Sequence, residues 1–275
     1  MRILVATVAV VGVVALVQGL SKLGHVKPHS MAGALTGVVL IAAVLATYTG
    51  YVRAIERRPV AELGRVGLAG EFTLGALIGG ALFGLTMWVL WLAGVAQVTG
   101  GAGWAALGFP LLGALIAAVT EEVIVRGILF RIAEESLGTW IALGLSAAIF
   151  GALHALNPGA TLVSSIAIAL EAGILLGAAY IFTRRLWLAI GLHASWNFTE
   201  GGVFGAGVSG TKVQGLFDSH FQGPEILTGG AFGPEASLVA VLICLTAATV
   251  LLTAARGQAR ISTPAWARRA QNSGH

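Results

Sequence analysis

Six polar residues of this chain stand inside otherwise apolar stretches, in three short patterns: Glu121-Glu122-x-x-x-Arg126, Phe150-x-x-x-His154 and His193-x-x-x-Asn197. A charged side chain at bilayer depth costs about 2.5–3.5 kcal/mol on insertion scales, so such groups mark function. On a helix, Glu122 and Arg126 are four apart, share a face and can neutralise each other. Glu121 is turned by about 100° from that face and stands five residues from Arg126, a poor intrahelical distance. Geometry therefore gives the two carboxylates different jobs, with Glu121 left to address something else.

Histidine is the natural partner. Phe150 and His154 form one i,i+4 ridge, and His193 and Asn197 another. If Glu121, His154 and His193 converge, a carboxylate and an imidazole can polarise water, while a second imidazole and a carboxamide can donate to a developing oxyanion. The same Glu-His-His set is also a candidate ligand set for a divalent metal such as zinc. Each pattern alone has an ordinary reading: a salt bridge for Glu122 and Arg126, core packing for Phe150, a structural hydrogen bond for a lone histidine, interhelical contact for Asn197. Their ordered joint occurrence is what carries weight. A serine route is poor, because Ser195 lies two residues after His193 and points away from it on a helix, and neither Gly-x-Ser-x-Gly nor His-Glu-x-x-His occurs. Glu171 is a further carboxylate inside an apolar run and stays outside the catalytic set.

The elements that must position these residues are membrane helices. The chain has 275 residues, 57% hydrophobic and 10% charged, where a soluble domain averages about 25% charged; its mean hydropathy is +0.89. Apolar runs at 3–20, 31–51, 72–95, 107–129, 139–155, 160–182, 186–199 and 237–255 predict an all-α polytopic bundle of about eight spans. No β-strand pattern is evident. The first run reads as a span rather than a removable leader, since Val17-Gln18-Gly19-Leu20 is a poor cleavage site. Three regions follow: N-terminal helices over 1–106, a core over 107–200, and a loop, last helix and basic tail over 201–275. The segment 56–63 reads as a short interfacial helix, and the glycine-rich stretch 200–236 as a long functional or mobile connection. One cysteine, Cys244, excludes an intramolecular disulfide and a four-thiolate zinc site.

Basic residues cluster at 53–65, 126–131, 184–185 and 256–269, which fall on one side when both termini are cytoplasmic. Lys22 and Lys27 dissent. The basic balance thus reflects topology, not nucleic-acid binding. Counting depth along the helices places His193 ~12 Å and Glu121 ~15 Å from the arginine-rich side, and His154 ~22 Å unless its helix starts near Leu143. These depths favour an opening toward the cytoplasm.

The ordered set EExxxR, FxxxH and HxxxN resembles the CPBP family of intramembrane proteases, which includes type II CAAX prenyl endopeptidases and bacterial Abi proteins. The match spans about 107–200, and Arg57-Arg58-Pro59-Val60-Ala61-Glu62-Leu63-Gly64 also looks like a segment preceding that core. The resemblance implies that Glu121 and His154 activate water and that His193 and Asn197 stabilise the oxyanion, with Glu122, Arg126 and Phe150 supporting them. It implies an intramembrane endopeptidase in the cell membrane, acting on a membrane-tethered peptide such as a prenylated CAAX tail. The family has been described both as metal-dependent and as metal-independent, which leaves zinc open here. Two other classes compete: a peptide-binding or immunity protein that does not cut, and a proton-coupled transporter. The transporter reading calls for two related halves, and the sequence shows none.

Overall fold

The computed structural model describes residues 1–27 and 30–272. Side chains from residue 269 onward are outside that description, Arg269 of the basic tail among them. Helices α1 (Arg2–Leu23) and α2 (Met31–Tyr51) form an antiparallel pair, and α3 (Leu68–Leu92) follows. After strand β1 (Ala96–Gly100), α4 (Gly108–Glu122) passes through a π-helical segment, Val123–Phe130, into α5 (Arg131–His154). The next rod is α6 (Leu162–Ile168), a π turn at Ala169–Gly173 and α7 (Ile174–Thr183). Helix α8 (Trp187–Asn197) continues as π turns to Val203. The connection that follows holds strand β2 (Phe217–Phe221) and the short α9 (Glu225–Thr228), before α10 (Leu238–Gly257) and α11 (Ala265–Asn272).

The chain is an all-α polytopic membrane bundle in which, among the described residues, six helices are long and apolar enough to cross a membrane. Two places bear on the expected count of about eight spans. Runs 107–129 and 139–155 fall in the stretch Trp104–His154 but remain two helices, which meet at the non-helical Gly138 (φ 73°). Only glycine takes this conformation freely, and a Cβ there would lie 2.7 Å from the Pro264 nitrogen. The run 186–199 is α8, eleven residues long, with Leu188 through Ala194 all buried. Its apolar character serves a protein core rather than a lipid face.

Three local expectations are corrected. A strand pair does exist: β1 and β2 are antiparallel, with Val98 opposite Ser219. Phe-Asp-Ser-His-Phe lacks the apolar alternation that announces a half-buried strand. The segment 56–63 is not an interfacial helix. The backbone turns left-handed at Arg57, and only Ala61–Leu63 forms a 3₁₀ turn. Pro59, between the two, cannot continue a helix ladder. The side chains of Glu56 and Glu62 are buried there between Arg58 and Arg131, at 2.7–2.9 Å for the close pairs. Finally, 200–236 is folded over the bundle. Gly210 donates to the Phe232 carbonyl, and Ser209 binds Glu235.

Helices α3 and α8 approach through glycine. A Cβ at Gly79 would sit 2.2 Å from the Leu192 carbonyl oxygen, and one at Gly191 2.2 Å from that of Phe72. Small residues let membrane helices close on each other in this way. The contact fixes α8, and with it His193. Gly79→Val is expected to cost about 1–3 kcal/mol through overpacking, read as a lowered thermal midpoint of the detergent-purified protein; an unchanged midpoint would show that the contact is soft.

Candidate active site

Glu121 and Glu122 end α4, and the π segment that follows carries Arg126. Such segments are frequent at functional sites. Glu122 and Arg126 are wholly buried, and Arg126 Nη1 donates to Glu122 Oε1 at 2.8 Å. Arg126 Nη2 donates to the Ala172 and Gly173 carbonyls, each at 3.1 Å, and its guanidinium lies 4.7 Å over the Phe150 ring. The guanidinium therefore ties α4 to the π turn before α7 and to α5.

His193 bridges the two carboxylates. Its Nδ1 is 3.0 Å from Glu122 Oε1, and its Nε2 is 3.9 Å from Glu121 Oε2. A carboxylate at Nδ1 assigns that nitrogen the proton. His154 is the last residue of α5 and is held differently. Its Nδ1 donates to the Phe150 carbonyl at 2.8 Å, which leaves Nε2 free to accept, 4.0 Å from the same Glu121 oxygen. The Phe150 ring packs on His154 at 4.5 Å and on His193 at 6.2 Å.

Glu121, His154 and His193 thus meet, although they come from helices that enter the site at different depths. His154 reaches it although its helix resumes at Thr139, directly after the break at Gly138, and not near Leu143. Asn197 is one turn beyond His193 and lines the same cavity of about 140 Å³. Ser195 instead points toward α3, 3.0 Å from where a Gly80 Cβ would be.

The rest of the wall was not legible as a pattern. Asn157, Glu171, Ser209 and Glu235 all line this cavity. Glu171 was visible as a carboxylate in an apolar run; the thiol of Cys244 lies 3.5 Å from its Oε1. Glu235 sits in a turn with no sequence signal, and its Oε1 accepts from the Ser209 N–H at 2.7 Å and hydroxyl at 2.9 Å. Behind it, the Glu200 carboxylate is fully buried and has no hydrogen-bond donor among the described residues. Burial pushes the Glu235 carboxyl above its ordinary range. A carboxyl whose folded value is raised holds its proton longer folded than unfolded. Its contribution is complete below the unfolded value and is lost as pH rises through the folded one. The thermal midpoint should therefore fall as pH climbs above the ordinary carboxylate range, and Glu235→Gln should flatten that fall. Equal slopes in both proteins would refute this.

The cavity's loop-side wall comes from residues 157, 208–209 and 235.

Spacing also bears on metal. Zinc held at 2.0–2.1 Å by tetrahedral N/O ligands sets donor atoms about 3.4 Å apart. Glu121 Oε2 is 3.9–4.0 Å from both imidazoles, and no group of three or more His, Cys, Asp or Glu among the described residues is placed to hold a metal ion. The side chains as arranged do not fit zinc, and no step below runs through one.

Residues 103–199 match a family described as Type II CAAX prenyl endopeptidase Rce1-like. No curated protein and no solved structure matches the chain.

Proposed function

We propose that this chain, whose residues 103–199 match the Type II CAAX prenyl endopeptidase Rce1-like family, is an intramembrane protease of the CPBP type that hydrolyses a peptide bond of a membrane-associated substrate with water activated by Glu121. The observation that carries this reading is the position of Glu121 Oε2. It faces the Nε2 atoms of His154 and His193 at 4.0 and 3.9 Å, too far for direct hydrogen bonds and suited to a bridging water.

Glu121 takes a proton from that water while His154 Nε2 orients it. The water oxygen attacks the scissile carbonyl carbon. Charge gathers on the carbonyl oxygen, which the Asn197 carboxamide and, as an imidazolium, His193 Nε2–H receive. Glu122 holds His193 by its Nδ1–H, and Arg126 holds Glu122. The C–N bond then breaks and Glu121 passes its proton to the leaving nitrogen, giving a carboxylic acid and an amine.

A second cavity of about 660 Å³ adjoins the site and shares Ala117, Asn197 and Val208 with it. Phe109, Pro110, Gly113 and Val213 give it an apolar wall, which suits an apolar stretch of peptide or a lipid-modified tail such as the prenylated CAAX type. Nucleic acid has no part in this reading. A fluorogenic membrane-tethered peptide offered to the purified protein in bilayer discs tests it. Asn197→Ala should lower kcat by about 10²–10³-fold, the usual loss for an oxyanion donor. Binding without any cleavage, by wild type and variant alike, would support a peptide-capturing protein instead.

A further inference from the structure

Both cavities lie along one face of α4. Ala117 lines each of them, and Phe109, Pro110, Gly113 and Ala114 line the larger one alone. Residues 109, 113, 117 and 121 follow one another four apart, so they form a single ridge. Glu121 stands at its end, one turn beyond Ala117. The ridge is low at Gly113 and Ala117. A Cβ added at Gly113 would meet nothing within 4 Å, so open space stands over the helix backbone there.

Residues 211–214 also line the larger cavity. This segment is pinned at both ends and unpaired between them. Thr211 and Val208 exchange backbone hydrogen bonds at 2.8 and 2.9 Å. Further on, the Gly215 carbonyl accepts from the Ala102 N–H at 3.0 Å, and the Leu216 N–H donates to the Gly202 carbonyl at 2.7 Å. Between these bonds, Lys212, Val213 and Gln214 make no backbone hydrogen bond among the described residues. They are neither helical nor turned, and they lead into β2. Lys212 and Gln214 are exposed, while Val213 is half-buried, its Cβ 3.3 Å from where a Gly201 Cβ would stand. Such alternation has the period of a strand. A row of unpaired N–H and C=O groups is a template for pairing with another chain.

We infer that the larger cavity takes the substrate's backbone as an added strand, paired with residues 212–214 and laid along the α4 ridge toward Glu121. The inference rests on the proteolytic reading and sharpens its substrate class. Main-chain bonds supply the affinity in such pairing, and side chains are read at alternate positions. A helix occupies its own carbonyls and N–H groups. The segment that enters is therefore an extended tail or an unwound stretch beside the membrane, not an intact transmembrane helix.

The test is a backbone scan of a lipid-tethered fluorogenic peptide, cleaved by the full chain in bilayer discs. Each analogue carries one N-methyl residue, the scissile nitrogen excepted. N-methylation removes a donor and crowds a paired strand. The expected result is alternation on one side of the scissile bond: KM rises about tenfold at every second residue, the worth of one hydrogen bond, and hardly changes between them. Gly113→Val puts a side chain into the open space and should also raise KM about tenfold, while the thermal midpoint holds. KM raised equally at every position, or at none, overturns the inference, and so does Gly113→Val with an unchanged KM. A flat scan with a KM that follows the length of the lipid tail would give the cavity to the lipid instead. Cleavage with a flat scan removes the inference alone, whereas a wild type that cuts no tethered peptide removes the proteolytic reading and the inference with it.

Discussion

Glu121→Gln is expected to abolish measurable proteolysis, lowering kcat by about 10²–10⁴-fold, the usual share of general acid–base catalysis. The substitution keeps the shape of the side chain and removes only its capacity to take a proton. Glu121 is about a third exposed and makes no ion pair closer than 3.9 Å, so the thermal midpoint should hardly move. Loss of turnover with retained folding is the signature of a group used for chemistry. A merely structural carboxylate would give the opposite pattern. Initial rates on the tethered peptide, beside a thermal melt of the same preparation, read both quantities.

Arg126→Met is expected to have the largest effect on folding. Arg126 and Glu122 are both wholly buried and directly paired. Removing one partner strands the other charge in the interior, at a cost of about 3–5 kcal/mol. The damage should spread, since Arg126 also binds two carbonyls before α7 and lies over Phe150. The double variant Glu122→Gln/Arg126→Met should recover part of the loss, because no unpaired charge remains. Thermal midpoints of the three proteins check this. A double variant as unstable as Arg126→Met would mean that the carbonyl contacts, not the charge pair, dominate.

What was legible in the sequence follows from what is local. The i,i+4 spacing of Glu122 and Arg126 announced a pair that the structure places at 2.8 Å, and the one-residue offset of Glu121 announced a carboxylate turned elsewhere. Hydropathy announced the helices. It did not announce that α8 is sheathed in protein, because an apolar run reads the same against lipid or against α3. The glycines at 75 and 79, spaced four apart, were the available signal for that close packing. The bond from His193 to Glu122 joins residues 71 positions apart, and no spacing rule reaches so far. Ser209 and Glu235 come from a stretch whose length and glycines suggested a functional or mobile connection without pointing to any residue, and Gly210, Gly229 and Gly233 there take positive φ in tight, well-packed turns.

The account turns on adjacent carboxylates having separate work, one chemical and one architectural. Peptide cleavage and thermal midpoint, measured side by side for the wild type, Glu121→Gln and Glu122→Gln, test that most directly. The predicted result is a folded, inactive Glu121→Gln and a Glu122→Gln whose midpoint drops as Arg126 and His193 lose their shared partner. A stable Glu122→Gln without activity, beside a Glu121→Gln that still cuts, would contradict it and exchange the two roles.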